Sequence, residues 1–165
     1  MPRAAPLDPE LLLSTLAGHR VEFVLVDALG ARLYGFPRVT ADADITPSRS
    51  IDNLERLATA LRELDARVFT EGTPEGLMFD CTAETLGRAD TWNLVTGAGR
   101  VDIVFQPAGT EGFDDLARSA VDFDVFGVTL SVASLEDILR SKTAADRPQD
   151  RQDAVVLRAM LARDG

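Results

Sequence analysis

Residues 21–45 constrain the fold of this chain more than any other part of the sequence. They open with the apolar run VEFVLV, which is typical of a β-strand that is buried on both faces. The segment ALGARLYG follows and predicts a short helix that ends near Gly35 and Pro37. The chain then becomes extended again at residues 43–45. The stretch therefore predicts a strand, a short helix and a second strand.

Two carboxylates mark the second predicted strand. Asp42 and Asp44 are two residues apart, and residues i and i+2 of a strand point to the same face. Two carboxylates held this close repel each other unless a cation lies between them. Mg²⁺ is the usual cation for such an oxygen pair, and it takes water and phosphate oxygens as its other ligands. Because an Asp-x-Asp pair also occurs in turns and on solvated surfaces, its setting decides between these interpretations.

A third aspartate, Asp102, interrupts the apolar run VDIVF at residues 101–105. A lone aspartate is poorly suited to a buried strand, because the burial of a charge without a partner is costly. If this strand lies beside the strand of Asp42 and Asp44, Asp102 completes a cluster of three carboxylates. The alternative is that Asp102 stands at the end of a strand and is exposed at the sheet edge.

The order of these motifs resembles a known family. A strand, a short helix, the pattern RVTADAD at residues 38–44 and a later strand with Asp102 resemble the nucleotidyltransferase fold of the DNA polymerase β superfamily. The C-terminal pattern of Lys142, Arg147 and Asp150 is similar to that of AbiEii-type and related minimal nucleotidyltransferases of bacterial toxin–antitoxin systems. The resemblance implies an α/β (α+β) fold, with a mixed β-sheet flanked by helices and further helices at the C-terminus.

The resemblance also implies a chemistry. It implies transfer of a nucleoside monophosphate from a nucleoside triphosphate to RNA, such as a tRNA 3′ end, or to a hydroxyl of a protein. A cognate toxin or antitoxin would be a further partner. Mg²⁺, or Mn²⁺ in its place, would be held by Asp42, Asp44 and Asp102. These three residues and Lys142 are the expected catalytic residues, with Asp102 orienting or deprotonating the attacking hydroxyl and Lys142 contacting the triphosphate.

The expected nucleotide-binding residues come from the same motifs and are Asp27, Ala28, Arg38, Thr40, Lys142, Arg147 and Asp150. Two of them have alternatives. Arg38 either contacts phosphate or forms a salt bridge with Asp42 or Asp44. Asp150 is expected to orient Arg147 or Lys142.

The chain departs from the family at Asp27-Ala28, where relatives usually carry glycine followed by Gly, Ser or Ala. That glycine lets the backbone approach the triphosphate at a helix N-terminus. Asp27 is either an N-cap of the helix predicted at residues 28–34 or a negative charge that weakens nucleotide binding. The second interpretation suggests another class of function, a catalytically weak binding module that acts as an antitoxin or a nucleotide sensor.

Composition limits the other classes of function. The 165 residues suit a single domain, 1–165, and no apolar run is long enough to span a membrane. The first residues lack the apolar core of a signal peptide, and one cysteine, Cys81, cannot form an internal disulfide, so we expect a cytoplasmic protein. A net charge of −10 argues against a broad nucleic-acid-binding surface.

Periodicity and turn residues predict the remaining elements. Helices are predicted at residues 7–17, 50–64, 113–120, 134–145 and 149–163, with Asp8, Ser50 and Ser134 as N-caps. Strands are predicted at 66–70 and in two hairpins, 91–96 with 100–105 and 121–125 with 128–132. Residues 72–88 are predicted to form a loop with a short helix at 82–86.

Overall fold

The structure of the protein is a computed structural model that describes residues 5–164. Within those residues the chain forms seven helices: α1 (Pro9–Gly18), α2 (Asp27–Arg32), α3 (Ile51–Glu63), α4 (Ala83–Leu86), α5 (Phe113–Ser119), α6 (Leu135–Ala145) and α7 (Pro148–Asp164). It also forms eight strands: β1 (Phe23–Val26), β2 (Asp42–Pro47), β3 (Arg67–Thr70), β4 (Thr73–Leu77), β5 (Thr91–Thr96), β6 (Gly99–Val104), β7 (Val121–Val125) and β8 (Val128–Val132).

All eight strands join one sheet in the order β4-β3-β5-β6-β2-β1-β8-β7. The sheet is mixed, because β2 pairs with β6 and β1 pairs with β8 in parallel, whereas the other neighbours are antiparallel. Both predicted hairpins are present, as β5–β6 and β7–β8. The predicted fold class, a mixed sheet flanked by helices with further helices at the C-terminus, is confirmed.

The helix starts follow from capping residues in the sequence. The hydroxyl of Ser50 accepts a hydrogen bond from the backbone N–H of Asn53 at 3.2 Å, and that of Ser134 accepts one from Asp137 at 3.1 Å. Asp8 caps α1 in the same manner. Each bond satisfies one of the N–H groups that have no partner inside the helix. The three predicted N-caps are therefore confirmed.

Side chains alternate between two apolar cores on the two faces of the sheet. Along β1, Leu25 packs into the core that includes α1 and α3, whereas Val24 and Val26 pack into the core formed with α5, α6 and α7. All four residues of β1 are buried, which confirms the strand that is buried on both faces. Asp102 lies between Val101 and Ile103, which belong to the first core, so its side chain lies on the opposite face, that of α6 and α7.

Residues 72–88 were predicted as a loop with a short helix at 82–86; the helix is confirmed as α4, but the loop prediction is wrong for residues 73–77. They contain β4, which forms an antiparallel pair with β3 at the sheet edge and was predicted as loop. Gly76 in β4 has φ of +92°, and a Cβ atom added there would lie 2.5 Å from Cβ of Arg67. Glycine therefore permits a close approach of two strands, although it interrupts the periodicity by which a strand is recognised.

Within the described residues, none of the helices combines the length and the apolar character that a membrane-spanning segment requires.

Candidate active site

Three adjacent strands bring the aspartates of the sequence motifs together. β2 lies between β1 and β6, with Asp44 opposite Val26 on β1 and opposite Asp102 on β6. Asp42, Asp44 and Asp102 share one face, because residues i, i+2 and directly opposite partners point the same way. The predicted neighbourhood of the two strands is confirmed. The exposed-edge alternative for Asp102 is wrong, since β6 is an interior strand and the side chain is only 16% exposed.

The row formed by Asp42, Asp44 and Asp102 has too little positive charge around it to neutralise three ionised carboxylates. Burial, followed by the charges of Asp27 and Asp102, raises the pKa of Asp44 to about 9. Burial and the charge of Asp42 raise the pKa of Asp102 to about 6, although Arg100 opposes the shift. Arg100 Nη2 lies 3.6 Å from Asp102 Oδ1, and that oxygen is buried without a hydrogen-bond partner among the residues described. The row therefore favours a cation or shared protons.

The carboxylates of this row are oxygen ligands of the kind that a divalent cation binds. Within residues 5–164, no group of three or more His, Cys, Asp or Glu side chains is arranged so that it could hold a metal ion. Mg²⁺, however, is usually bound through one or two carboxylates together with substrate phosphates. The hard carboxylate oxygens of Asp42 and Asp44 and the buried, unsatisfied oxygen of Asp102 fit that mode of binding. The three-carboxylate metal site itself stays a prediction.

Asp27 directly follows β1, at the position where the family that the sequence resembles usually carries glycine. The N-cap of α2 is Val26, so the interpretation of Asp27 as an N-cap is wrong. Asp27 is instead the first residue of α2 and has φ of +57°, in the left-handed region that favours glycine and that aspartate tolerates better than most residues. Ala28 behind it is buried. The backbone thus keeps the conformation expected of a glycine while the side chain adds a carboxylate.

The carboxylate of Asp27 forms an ion pair with Lys142, but without hydrogen-bond geometry. Lys142 lies on α6 and is only 7% exposed. Its Nζ atom also lies 2.9 Å from Asp153 Oδ2 and 3.3 Å from Asp150 Oδ1. Burial alone would lower the pKa of Lys142, but the neighbouring carboxylates outweigh burial and raise it. The lysine is therefore a charged group held among three aspartates at the end of β1.

Arg38 does not form the salt bridge with Asp42 or Asp44 that was one of the two alternatives for this residue. Its Nε and Nη2 atoms donate to the two carboxylate oxygens of Asp153 at 3.1 and 2.7 Å. This two-bond arrangement suits the planar guanidinium group and fixes the loop before β2 to α7. The physical reason for the error is distance along the chain, because Asp153 comes 115 residues later and only tertiary packing brings it to Arg38.

The remaining predicted residues surround this cluster. Asp150 is buried and accepts a hydrogen bond from Arg147 Nε at 2.7 Å, so the prediction that it orients Arg147 or Lys142 holds for both. The side chain of Arg147 is 70% exposed and faces solvent beside the cluster. The hydroxyl of Thr40 donates to the carbonyl oxygen of Asp42 at 3.0 Å and shapes the start of β2. Their roles in nucleotide binding stay predictions.

A cavity of about 290 Å³ opens beside the cluster, between α6 and the sheet. Charged residues line one part of it: Asp27, Asp44, Lys142, Arg147 and Asp150. Apolar residues line most of the remainder, including Val26, Val104, Leu116, Ala133 and Ile138. Asp137 and Ser141 of α6 add two polar side chains to the wall.

Sequence analysis did not single out Asp153, which contacts Arg38 and Lys142, or Asp137 and Ser141, which line the cavity. Asp153 follows Asp150 by one helical turn and precedes the buried Leu157 by another. That spacing places a carboxylate on the buried face of α7 and was a signal for a partner cation. Asp137 lies in the first turn of α6, where negative charge is stabilised by the helix dipole.

Comparison with known proteins supports the fold. No family model matches the chain, and no curated protein matches it. Among solved structures, a protein of Thermotoga maritima provisionally classed as a nucleotidyltransferase matches with a TM-score of 0.56 at 18% identity, over 96% of this chain and 97% of that one. The lincosamide antibiotic adenylyltransferase LnuA, solved with lincomycin, matches with a TM-score of 0.60 at 13% identity, over 94% and 99% of the two chains.

The antibiotic-resistance factor ANT(2'')-Ia matches with a TM-score of 0.52 at 16% identity, over 93% of this chain and 89% of that one. All three alignments cover most of both chains, at identities that establish likeness of fold alone. The chain therefore has the nucleotidyltransferase fold.

Proposed function

We propose that the protein is a Mg²⁺-dependent nucleotidyltransferase that transfers a nucleoside monophosphate from a nucleoside triphosphate to a hydroxyl group. The observation that carries this proposal is the register of β2 and β6, which sets Asp42 and Asp44 beside Asp102 on one face of the sheet. A buried lysine, Lys142, reaches the same end of β1 from α6. Carboxylates and a cation together are what transfer of a nucleotidyl group requires, because this reaction depends on positioning and charge stabilisation.

The roles of the residues follow from this arrangement. The acceptor hydroxyl attacks the α-phosphorus of the triphosphate, the new P–O bond forms and pyrophosphate leaves. Asp102 orients the hydroxyl and accepts its proton, since it lies directly opposite Asp44 and retains a buried oxygen without a partner among the described residues. Lys142 balances negative charge on the phosphates. Arg147, exposed at the rim of the cavity, would contact the outer phosphates.

Asp42 and Asp44, with Asp102 beside them, would hold Mg²⁺ or Mn²⁺. When bound, the cation supplies charge neutralisation of the triphosphate and lowers the pKa of the attacking hydroxyl. Arg38 and Asp153 position other groups of the site, because their two hydrogen bonds fix the loop that precedes β2 and Asp153 also contacts Lys142.

The acceptor in this proposal is RNA, such as a tRNA 3′ end, or a hydroxyl of a partner protein in a toxin–antitoxin pair. The support is the C-terminal pattern of Lys142, Arg147 and Asp150, which forms one connected cluster in the fold. Because LnuA is a lincosamide adenylyltransferase on a similar fold, a small hydroxyl compound belongs in the same assay.

The test is incubation of the protein with each labelled nucleoside triphosphate, Mg²⁺, and either total RNA, cell lysate or a lincosamide. We expect label on one acceptor, and we expect Asp42→Ala and Asp44→Ala to reduce it about 100-fold or more. Asp122→Ala, on the exposed strand β7, is the matched control and should retain activity. Label that persists undiminished in both variants would contradict the role of the Asp-x-Asp pair.

A second candidate function is a binding module without turnover, and the ion pair of Asp27 and Lys142 favours it. Because neighbouring carboxylates already neutralise the charge of Lys142, this lysine attracts a triphosphate less strongly. Calorimetric titration with ATP, CTP, GTP and UTP plus Mg²⁺ separates the candidates. Micromolar binding without transfer to an acceptor supports the module, whereas transfer supports the enzyme.

A further inference from the structure

We infer that the uncovered part of the sheet beside Asp102 receives the 3′-terminal nucleotide of a single-stranded RNA, with Asn93 contacting its 2′-hydroxyl group and Arg100 stacking on its base. The inference rests on the proposed function, because the terminal 3′-hydroxyl is the group that attacks the triphosphate. It assigns the acceptor to RNA rather than to DNA, a protein or a small hydroxyl compound.

Helices cover only part of the sheet face that carries the aspartates. The core formed with α5, α6 and α7 includes residues of β1, but within residues 5–164 it includes none of β3, β4, β5 or β6. On β5, Thr91 and Asn93 are exposed on the aspartate face, whereas Leu94 packs into the core on the opposite face. An open polar surface therefore continues from the aspartate row onto β5.

The register of β5 and β6 sets Asn93 directly opposite Asp102. Directly opposite residues of an antiparallel pair have Cβ atoms about 4.5–5.5 Å apart, so the two side chains are neighbours. A terminal ribose carries its 2′- and 3′-hydroxyl groups on adjacent carbon atoms. When the 3′-hydroxyl lies at Asp102, the 2′-hydroxyl is therefore within reach of Asn93.

Asn93 suits this contact better than it suits the strand. Asparagine is depleted in strands, yet Asn93 lies on β5, an interior strand between β3 and β6. Its side chain is exposed, so the amide group is available to a ligand. An amide both donates and accepts hydrogen bonds and can therefore bond a hydroxyl group in either sense. The 2′-hydroxyl is the group by which a protein distinguishes RNA from DNA.

A flat platform lies beyond Asn93. The guanidinium carbon of Arg100 lies 3.8 Å from the centre of the Phe69 ring, and the arginine side chain stays 29% exposed. The register of β3 and β5 places Phe69 beside Asn93. Unpaired bases of RNA stack on aromatic rings and on guanidinium planes. The order of platform, Asn93 and Asp102 across the sheet thus matches the order of base, 2′-hydroxyl and 3′-hydroxyl in a terminal nucleotide.

The distribution of charge limits the contact to the end of the RNA. A chain with a net charge of −10 does not suit a broad nucleic-acid-binding surface. Arg67 and Arg100, however, lie in one row of the uncovered surface, because both are in register with Val95 of β5. Two arginines suit the phosphate that precedes the terminal nucleotide and the base of that nucleotide.

The experiment measures transfer from a labelled nucleoside triphosphate, with Mg²⁺, to two pools of short single-stranded RNA of random sequence. The pools differ only in the last sugar, which is ribose in one and 2′-deoxyribose in the other. The variant is Asn93→Ala, and Thr91→Ala is the matched control because Thr91 is exposed on the same face of β5. Arg100→Lys keeps the charge and removes the planar group.

We expect the wild type to use the ribose pool with a kcat/KM about fivefold higher than that of the deoxyribose pool, as one hydrogen bond permits. Asn93→Ala should bring this ratio close to one, and Thr91→Ala should leave it unchanged. Arg100→Lys should raise KM about tenfold for both pools, because each loses the stacking of its last base, and should leave the ratio unchanged.

Equal kcat/KM values for the two pools in the wild type, or an unchanged ratio in Asn93→Ala, would overturn the role of Asn93. An unchanged KM in Arg100→Lys would overturn the platform. Label on a protein, on DNA or on a lincosamide, but on neither RNA pool, would overturn the whole inference and leave the proposed transfer standing. Absence of label on every acceptor would overturn both.

Discussion

Replacement of Asp27 by glycine tests how this chain departs from the nucleotidyltransferases that it resembles. Asp27, Asp150 and Asp153 face three cations, Lys142, Arg38 and Arg147, across the cluster. The positive and negative charges balance in number. Asp27→Gly therefore leaves one surplus positive charge at the end of the cavity that receives the triphosphate in our proposal.

The magnitude follows from Coulomb's law. Two unit charges about 4 Å apart at an effective dielectric constant of about 20 interact with about 4 kcal/mol. If solvent, salt and metal screen three quarters of that energy, about 1 kcal/mol remains. Since about 1.4 kcal/mol corresponds to a factor of ten in affinity, we expect Asp27→Gly to tighten triphosphate binding about fivefold or more.

The effect of Asp27→Gly on stability should be small. Glycine relieves the cost of a left-handed backbone at φ of +57°, which is about 1–2 kcal/mol for an ordinary residue and less for aspartate. It also gives the unfolded chain more freedom, which costs about 0.5–1 kcal/mol. Lys142 keeps its contacts with Asp150 and Asp153. The free energy of unfolding should therefore change by about 1 kcal/mol or less.

Isothermal titration calorimetry with a triphosphate and Mg²⁺ measures the affinity, and Asp27→Asn is the matched control. Asparagine tolerates the same backbone conformation and removes only the charge. Both variants should bind more tightly than the wild type, and the gain should shrink in about 0.5 M salt because of screening. Unchanged or weaker binding by both variants would refute the reasoning and identify the Asp27 carboxylate as a group that binds or positions the substrate.

Three further predictions concern the fold. Lys142→Met should reduce the free energy of unfolding in urea by about 1–3 kcal/mol, because the buried carboxylates of Asp150 and Asp153 lose the lysine that they share but keep their arginine partners. Gly99→Ala should lower it by about 2 kcal/mol, since φ is +99° and the new Cβ would lie 2.5 Å from Cα of Leu7. The backbone N–H of Glu111 and then Arg140 lower the pKa of Asp115. Asp115→Asn should therefore lower the free energy of unfolding by less than about 1 kcal/mol at pH 7. The difference in this free energy between the variant and the wild type should become smaller below about pH 4.

Each of these predictions has a control in the chain. Arg88→Met removes only an exposed pair with Glu84, and Gly72→Ala adds a methyl group in open space, so both should change stability little. Asp114→Asn removes the exposed carboxylate next to Asp115. The sign for Asp115 follows from linkage, because a pKa lowered by folding adds stability only where the unfolded side chain is ionised. A difference in the free energy of unfolding between the wild type and Asp115→Asn that grows as the pH falls would contradict this prediction.

The elements with local signals could be predicted from the sequence alone. The N-caps at Asp8, Ser50 and Ser134 and the turn at residues 126–127 act between residues close in the chain, so the sequence contains all the information they need. The Asp-x-Asp spacing of Asp42 and Asp44 likewise guaranteed a shared face once the segment was a strand.

The contacts of the candidate site were decided by tertiary structure. Asp153 meets Arg38 and Lys142 only because α7 packs beside α6 and the loop before β2. β4 forms because its backbone pairs with β3 at the sheet edge, although Gly76 interrupts the alternation of apolar and polar residues by which a strand is recognised in the sequence. Asp27 shows both a signal that the sequence contains and a contact that only the tertiary structure decides. Its departure from glycine was visible in the sequence, but its ion pair with Lys142 joins groups more than 100 residues apart, which only the folded chain brings together.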